Sequence, residues 1–148
     1  MRLRHIGIRR VSNPSTDGLR EWIGHLALEA PVADLLYRSA RSFQGDVLVA
    51  EQEGVVVGVC GWQQDEGMAV LGPVVVREDK RRWGLGTHLV ERAVLEMREA
   101  GIRTIEATFS EGDPAPDRLY RRHSFRPIGS ETDGSNTWTR VERVLKKT

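Results

Sequence analysis

The chain has 148 residues, 39% of them hydrophobic and 29% charged, with a formal net charge of +1. That supplies one core and too little for two ordinary domains, so one domain over residues 1–148 is expected. The near-neutral balance excludes a basic field of the kind that gathers nucleic acid, and the apolar stretches Val55 to Val59 and Val70 to Val76 are far too short to span a bilayer.

In chain order, the basic start Met1-Arg2-Leu3-Arg4-His5 is not followed by the apolar run of a secretory signal, and a short strand is expected from Ile6 to Val11. Asn13-Pro14-Ser15-Thr16-Asp17 supplies turn and helix-capping residues. Leu19, Trp22, Ile23, Leu26 and Ala27 then recur at helical spacing, and Pro31 separates a second helical stretch through Leu35 and Leu36. Val47 to Ala50 and Val55 to Trp62 are β-rich runs around Glu51-Gln52-Glu53-Gly54, which reads as a hairpin. After the turn Asp65-Glu66-Gly67, a longer strand runs from Met68 to Val76, with Gly72-Pro73 predicting a bulge or bend.

A basic loop, Arg77 to Trp83, leads through Gly84-Leu85-Gly86 into the clearest helix, Thr87 to Ala100, whose Leu89, Val90, Ala93, Val94 and Met97 share one face. Gly101 stops it, and Ile102 to Phe109 alternates as a strand. A polar loop, Ser110 to Pro116, precedes a short helix ending in Leu119-Tyr120-Arg121-Arg122-His123-Ser124-Phe125. Two strands, Arg126 to Ser130 and Thr137 to Val144, close the chain around Gly134.

The order strand, glycine loop, helix makes an anion site on physical grounds. The first turn of a helix leaves its N–H groups unpaired and carries about half a positive charge. Glycines at Gly84 and Gly86 let the backbone approach phosphate oxygens, and Lys80, Arg81 and Arg82 add field. No G-K-[ST] ends the loop and no third glycine follows, so neither a Walker loop nor a dinucleotide fingerprint fits.

Arg81-Arg82-Trp83-Gly84-Leu85-Gly86 fits R/Q-x-x-G-x-G/A directly after Val74-Val75-Val76, and this segment resembles the GNAT superfamily of N-acetyltransferases. The resemblance covers Val47 to Phe125 well and the first helices only in kind. It implies an α/β fold of α+β type: a mixed, mostly antiparallel sheet with helices on both faces. Its central strands, Met68 to Val76 and Ile102 to Phe109, would run parallel and splay apart to admit acetyl-CoA. Val74, Val75 and Val76 would pair with the pantetheine arm, and the loop from Arg81 through Trp83 and Leu85 to Thr87 would hold the pyrophosphate, with the amides of Arg82, Gly84, Gly86 and Thr87 facing it. Gly72-Pro73 would place a backbone N–H near the thioester carbonyl.

Leu119-Tyr120-Arg121-Arg122-His123-Ser124-Phe125 is similar to the family's L-Y-x-x-x-G-F helix end, which makes Tyr120 the general acid for the leaving thiolate. Ser124 departs from the usual glycine, and Asp113 or Glu111 stands where an asparagine is usual. An amine must lose a proton before attack. Ile105-Glu106-Ala107 resembles the segment where some members carry a catalytic glutamate; Glu106 is the expected base, with Glu66, Asp65 or water as alternatives and a plain solvent-facing strand residue as the bland reading.

The remaining chemistry-bearing residues point to no second mechanism. Cys60, the single cysteine, excludes an internal disulfide, fits a reducing cytoplasm, and reads as a small buried hydrophobe, so transfer is expected directly from acetyl-CoA in a ternary complex. His5, His25, His88 and His123 have no metal-ligand spacing, and they read as surface or helix residues with no metal expected. Trp83 could cover the cofactor, and Arg118, Arg121 and Arg122 form a solvated face within reach of the 3′-phosphate. The acceptor stays open between small amines and protein or peptide amines. The family also allows a homodimer, and a non-catalytic acyl-CoA-binding or sensing domain is the rival reading.

Overall fold

The computed structural model describes residues 5–111 and 114–145. Seven strands, β1 (Gly7–Ser12), β2 (Asp46–Gln52), β3 (Val55–Asp65), β4 (Met68–Val76), β5 (Thr104–Ser110), β6 (Arg126–Asp133) and β7 (Asn136–Val144), form one sheet in the order β1-β2-β3-β4-β5-β7-β6. Every neighbouring pair is antiparallel except β4 and β5, which are parallel. The helices are α1 (Thr16–His25), α2 (Ala30–Ala40), α3 (Leu85–Glu99) and α4 (Pro114–Arg122), with a 3₁₀ helix over Glu78–Trp83 where the sequence suggests a plain loop. Among the described residues no helix is long and apolar enough to cross a membrane.

The alternation of each strand sorts its side chains to two cores. Leu48, Ala50, Cys60, Leu71, Ile105 and Ala107 bury with Leu89, Val90, Ala93, Val94 and Met97 of α3 and Tyr120 of α4. Val47, Val49, Val56 and Val59 bury on the opposite face with Leu26, beside Leu19, Trp22 and Phe43. Each fully buried large aliphatic contributes about 1.5–3 kcal/mol, which is what holds these helices to the sheet. Ser15 caps α1 by accepting the Gly18 N–H at 3.0 Å.

Two local features aim α3. At its end, Gly101 takes a φ of 86°, and Ile102 N donates to the Met97 carbonyl at 3.0 Å, closing the helix over the turn into β5. At its start, Gly58 on β3 lies so close that an added Cβ would sit 3.1 Å from Leu89 Cδ1 and 3.3 Å from Leu85 Cδ2. Glycine there brings the first turns of α3 down on the sheet, next to the end of β4.

The Gly72-Pro73 bulge takes a definite form. Cys60 pairs with Val74 and Trp62 with Leu71, so two β4 residues stand opposite Gly61 alone. Beyond it the central strands part: β4 and β5 pair only at Met68–Thr104, Ala69–Ile105 and Val70–Glu106. From Leu71 onward the β5-facing edge of β4 is open.

Candidate functional site

The open edge of β4 runs into the 3₁₀ helix and then α3. Gly84, with a φ of 78°, occupies the left-handed region that favours glycine, and it is the N-cap of α3 without a capping side chain. The first intrahelical bond is His88 N to the Gly84 carbonyl at 3.0 Å, so the N–H groups of Leu85, Gly86 and Thr87 precede it and point out of the helix end. A Cβ on Gly86 would meet only Val76 Cγ2, at 3.6 Å. The Leu85 side chain is buried, which leaves its backbone for any ligand.

The basic side chains behave differently from the sequence expectation. Lys80 is buried rather than facing the loop mouth, with Nζ 4.2 Å from the centre of the Trp83 ring. Arg81 stays exposed, and its Nε donates to the Val76 carbonyl at 2.9 Å. Both residues thus also hold the loop in shape, Lys80 from within and Arg81 from its surface. The Arg82 side chain lies outside the described residues. A cation at the start of α3 also comes from α4, where Arg122 Nη1 stands 3.5 Å from Thr87 Oγ1. Nothing local in the sequence links these two residues; the packing of α4 beside α3 does.

Val74, Val75 and Val76 are not equivalent. Arg77 N donates to the Val57 carbonyl at 2.8 Å, and antiparallel alternation then turns the N–H and C=O of Val75 toward Val59 on β3. The backbone groups of Val74 and Val76 face the cleft, with the Val76 carbonyl already accepting from Arg81. An extended ligand pairing along this edge therefore meets Val74 and Val76, while Val75 contributes its side chain to the α1 face.

Tyr120 stands on the α3 side of the cleft. Its ring is stacked on Phe109 at 5.7 Å and tilted against Phe125 at 5.3 Å between centroids. Burial raises the phenol well above its ordinary pKa, with the Cys60 sulfur adding to the effect, so the hydroxyl keeps its proton at neutral pH. The ring is aimed by the end of α4: Phe125 N donates to the Tyr120 carbonyl at 3.0 Å and Ser124 N to the Arg121 carbonyl at 3.1 Å, with Ser124 at a φ of 65°. This left-handed conformation explains why the family pattern has glycine where this chain has Ser124.

Glu106 lies on the other face of the sheet. Its neighbours Ile105 and Ala107 point into the α3 core, and its carboxylate accepts from Arg140 Nη2 at 3.3 Å; Arg140 Nε also lies 3.4 Å from Glu131. Glu106 and Glu66 line one open hollow with Gly67, Met68, Arg103 and Thr104 at the start of the parallel pair. Asp65 is exposed at the end of β3, paired with Met68. Tyr120 and Glu106 are therefore separated by the sheet, and a reaction using both must pass through the gap between β4 and β5.

Cys60 is fully buried on β3, and burial pushes its thiol up to about 12. Such a thiol is a core group, unsuited to carrying an acyl group at neutral pH. His25 Nδ1 accepts the Val56 N–H at 3.1 Å. His123 is buried, contrary to a surface reading, and its Nε2 has no hydrogen-bond partner; desolvation lowers its pKa. Among the described residues no three His, Cys, Asp or Glu side chains gather as a metal group. Arg121 is engaged with Asp117 at 2.9 Å on the exposed face of α4. Of the two substitutes for the family asparagine, Asp113 lies outside the described residues, and Glu111 is exposed with its N–H on the Thr137 carbonyl at 2.8 Å.

Comparison with known proteins agrees with this architecture. Residues 17–125 match the model of the acetyltransferase (GNAT) family. The chain is 35% identical over 112 residues to the L-methionine sulfoximine/L-methionine sulfone acetyltransferase of Pseudomonas aeruginosa, covering 68% of this chain and 64% of that relative. Among solved structures it is similar to Ard1 from Thermoplasma volcanium, with a TM-score of 0.75, 18% identity and coverage of 97% of this chain and 99% of that one. It is also similar to an acetyltransferase of the GNAT family from Streptococcus pneumoniae, with a TM-score of 0.72, 19% identity and coverage of 95% and 99%. With the parallel pair splayed beside the glycine loop and the family model matched across most of its length, the chain belongs to the GNAT acetyltransferase family.

Proposed function

We propose that this chain is an acetyl-CoA-dependent N-acetyltransferase, one domain over residues 1–148 acting in the cytoplasm, that transfers acetyl to an amine in a ternary complex. One arrangement carries the reading: the open β4 edge leads from the bulge at Gly72-Pro73 to the amides of Leu85, Gly86 and Thr87, which open α3 ahead of its first intrahelical bond. An extended chain ending in a pyrophosphate fits that sequence of donors, since a peptide-like arm can pair with Val74 and Val76 while its anion meets a positive helix end. Bound acetyl-CoA supplies an acyl thioester.

The residues then divide the work by face. Tyr120, kept protonated by burial, donates to the departing thiolate from the α3 side. Glu106, directly or through water, receives the proton of the amine from the opposite side, with Glu66 in the same hollow. Cys60 takes no part, which supports direct transfer. Arg122 adds a cation to the pyrophosphate end. The relatives that act on L-methionine sulfoximine and sulfone support an acceptor of amino-acid size.

The Glu106–Arg140 ion pair favours one other reading, an acyl-CoA sensor without turnover. Tyr120→Phe separates the two, because the ring keeps its packing against Phe109 and Phe125 and loses only the hydroxyl. Acetyl-CoA consumption with an amine panel is expected to show kcat lowered about 10²-fold or more, at unchanged acetyl-CoA affinity. A kcat within threefold of wild type removes Tyr120 as the acid; binding without any turnover in wild type selects the sensor.

A further inference from the structure

Strand register sets a row of charges on the face of the sheet away from α3. Ile105 and Ala107 bury against α3, so Glu106 lies on the other face, where its registered partner on β7 is Glu142. Arg126 on β6 continues the row opposite Glu142. Two residues from Glu142 and on the same face, Arg140 reaches back to Glu106, with Nη2 3.3 Å from Oε1. Its Nε stands 3.4 Å from Glu131 Oε1 on β6. Glu66 and Arg103 share the hollow at the start of the parallel pair with Glu106. Like charges in direct register repel, and Arg140 offsets that repulsion at Glu106.

Arg140 is close to two carboxylates and tight on neither. Charge-assisted N–H···O bonds close at about 2.7–2.9 Å, and both of its separations are longer. The guanidinium therefore lies between two partners, one on each neighbouring strand. Opposite Arg140 on β6 is Gly129, where an added Cβ would meet nothing within 4 Å, so the way toward Glu131 is clear. The two partners are unequal: the Glu106 side chain is 25% exposed and that of Glu131 62%. Glu106 is also the last β5 residue paired with β4, at the point where the two strands part.

We infer that Arg140 is a positioning residue that swings between Glu106 and Glu131, covering Glu106 between turnovers and yielding it to the ammonium group of the acceptor. The inference rests on the N-acetyltransferase reading with Glu106 as the base. A guanidinium fixed on Glu106 would block that base, whereas one that moves to Glu131 leaves neither carboxylate bare. After the exchange the ammonium faces Glu106 and Arg140 faces Glu131. One ammonium proton then passes to Glu106 and on to water. A second leaves as nitrogen bonds to the acyl carbon and the carbon–sulfur bond breaks, and it replaces the proton that Tyr120 gives the thiolate. The amide carries no charge, so Arg140 returns to Glu106.

The test uses whichever of L-methionine sulfone, 2-phenylethylamine and 1,4-diaminobutane the wild type acetylates fastest, at saturating acetyl-CoA. Arg140→Gln removes the competitor for Glu106 and is expected to lower the amine KM about threefold, the scale of a partly exposed ion pair. Glu131→Gln leaves Arg140 only Glu106 and is expected to raise the amine KM about threefold, with kcat moving less than KM in both variants. Arg140→Lys should stay nearer wild type than Arg140→Gln. The double variant should match Arg140→Gln alone, because Glu131 acts only through Arg140. If a variant fails to fold, the Arg140 Nε–H signal of the ¹⁵N-labelled wild type reads the same exchange. It should shift when the amine is added to the CoA complex, where no transfer occurs. Any other pattern of KM, such as both single variants moving the same way or neither moving, overturns the swinging role, as does an Nε–H signal that ignores the amine. No turnover of any amine despite acetyl-CoA binding, or Glu106→Gln as fast as wild type, overturns the reading beneath it, and the role with it.

Discussion

Gly86→Glu is a substitution for which stability and ligand binding move in opposite directions. Gly86 has no positive φ, and its added Cβ makes one ordinary contact at 3.6 Å, so the glutamate enters α3 without strain. The first turn of α3 has no acidic residue and no capping side chain. A carboxylate there gains about 0.3–1 kcal/mol from the helix dipole, and removing a helical glycine adds up to about 0.5–1 kcal/mol. A net gain of about 1 kcal/mol raises Tm by about 2–4 °C in a chain of this size. The same carboxylate faces any pyrophosphate on the amides of Gly86 and Thr87. Two like charges about 5 Å apart repel by about 3 kcal/mol at an effective dielectric of about 20, a loss of more than 100-fold in affinity. Calorimetric titration of CoA and acetyl-CoA, with thermal unfolding of the same samples, reads both quantities. Affinity within threefold of wild type at an equal or higher Tm refutes the pyrophosphate loop; affinity lost together with a falling Tm refutes the claim that this position accepts a side chain.

Ser124→Gly relieves a left-handed conformation that serine holds at a φ of 65°. It should stabilise the chain by about 1 kcal/mol and raise Tm by about 2–4 °C, measured by calorimetric unfolding; a decrease would mean that the serine side chain itself anchors the turn. Cys60 should resist a thiol reagent at pH 8 in the native chain and react once the chain is unfolded in urea. The folded thiol holds its proton up to about 12, and the unfolded one releases it near 9.0, so the unfolded state binds fewer protons in between. Stability should therefore fall as pH rises through that window, at up to about 1.4 kcal/mol per pH unit, with Tyr120 acting in the same direction. Urea midpoints from pH 8 to 11 check it, and an equally steep fall in Cys60→Ala would assign the effect elsewhere.

Much of this architecture was legible in the sequence because its signals are local. The spacing of Leu89, Val90, Ala93, Val94 and Met97 marks a buried helix face, and Gly84 and Gly101 mark its two ends through conformations that depend on their own backbone. The β2–β3 hairpin and the β4 bulge follow from Gly54 and Gly72-Pro73 in the same way. Charge was legible as charge and not as direction. Lys80 and Arg81 read alike as sources of field at the loop, and the fold separates them: Lys80 is buried against Trp83, while Arg81 stays exposed and holds the Val76 carbonyl. Their partners come from the path of the 3₁₀ helix, whose formation no short pattern announces.

Other assignments depended on strand register and on contacts between residues far apart in the chain. That Val74 and Val76, rather than Val75, face the cleft follows from pairing with β3, since each step along a strand reverses the backbone groups. Glu106 meets Arg140 across β7, and Arg122 meets Thr87 across two helices, at separations of 34 and 35 residues. The sequence alone determined which segments become helices, strands and a glycine-lined helix start, because backbone conformation and hydrophobic period act within a few residues. Only the tertiary structure decided which side chains meet, because that depends on how independently formed elements pack against each other.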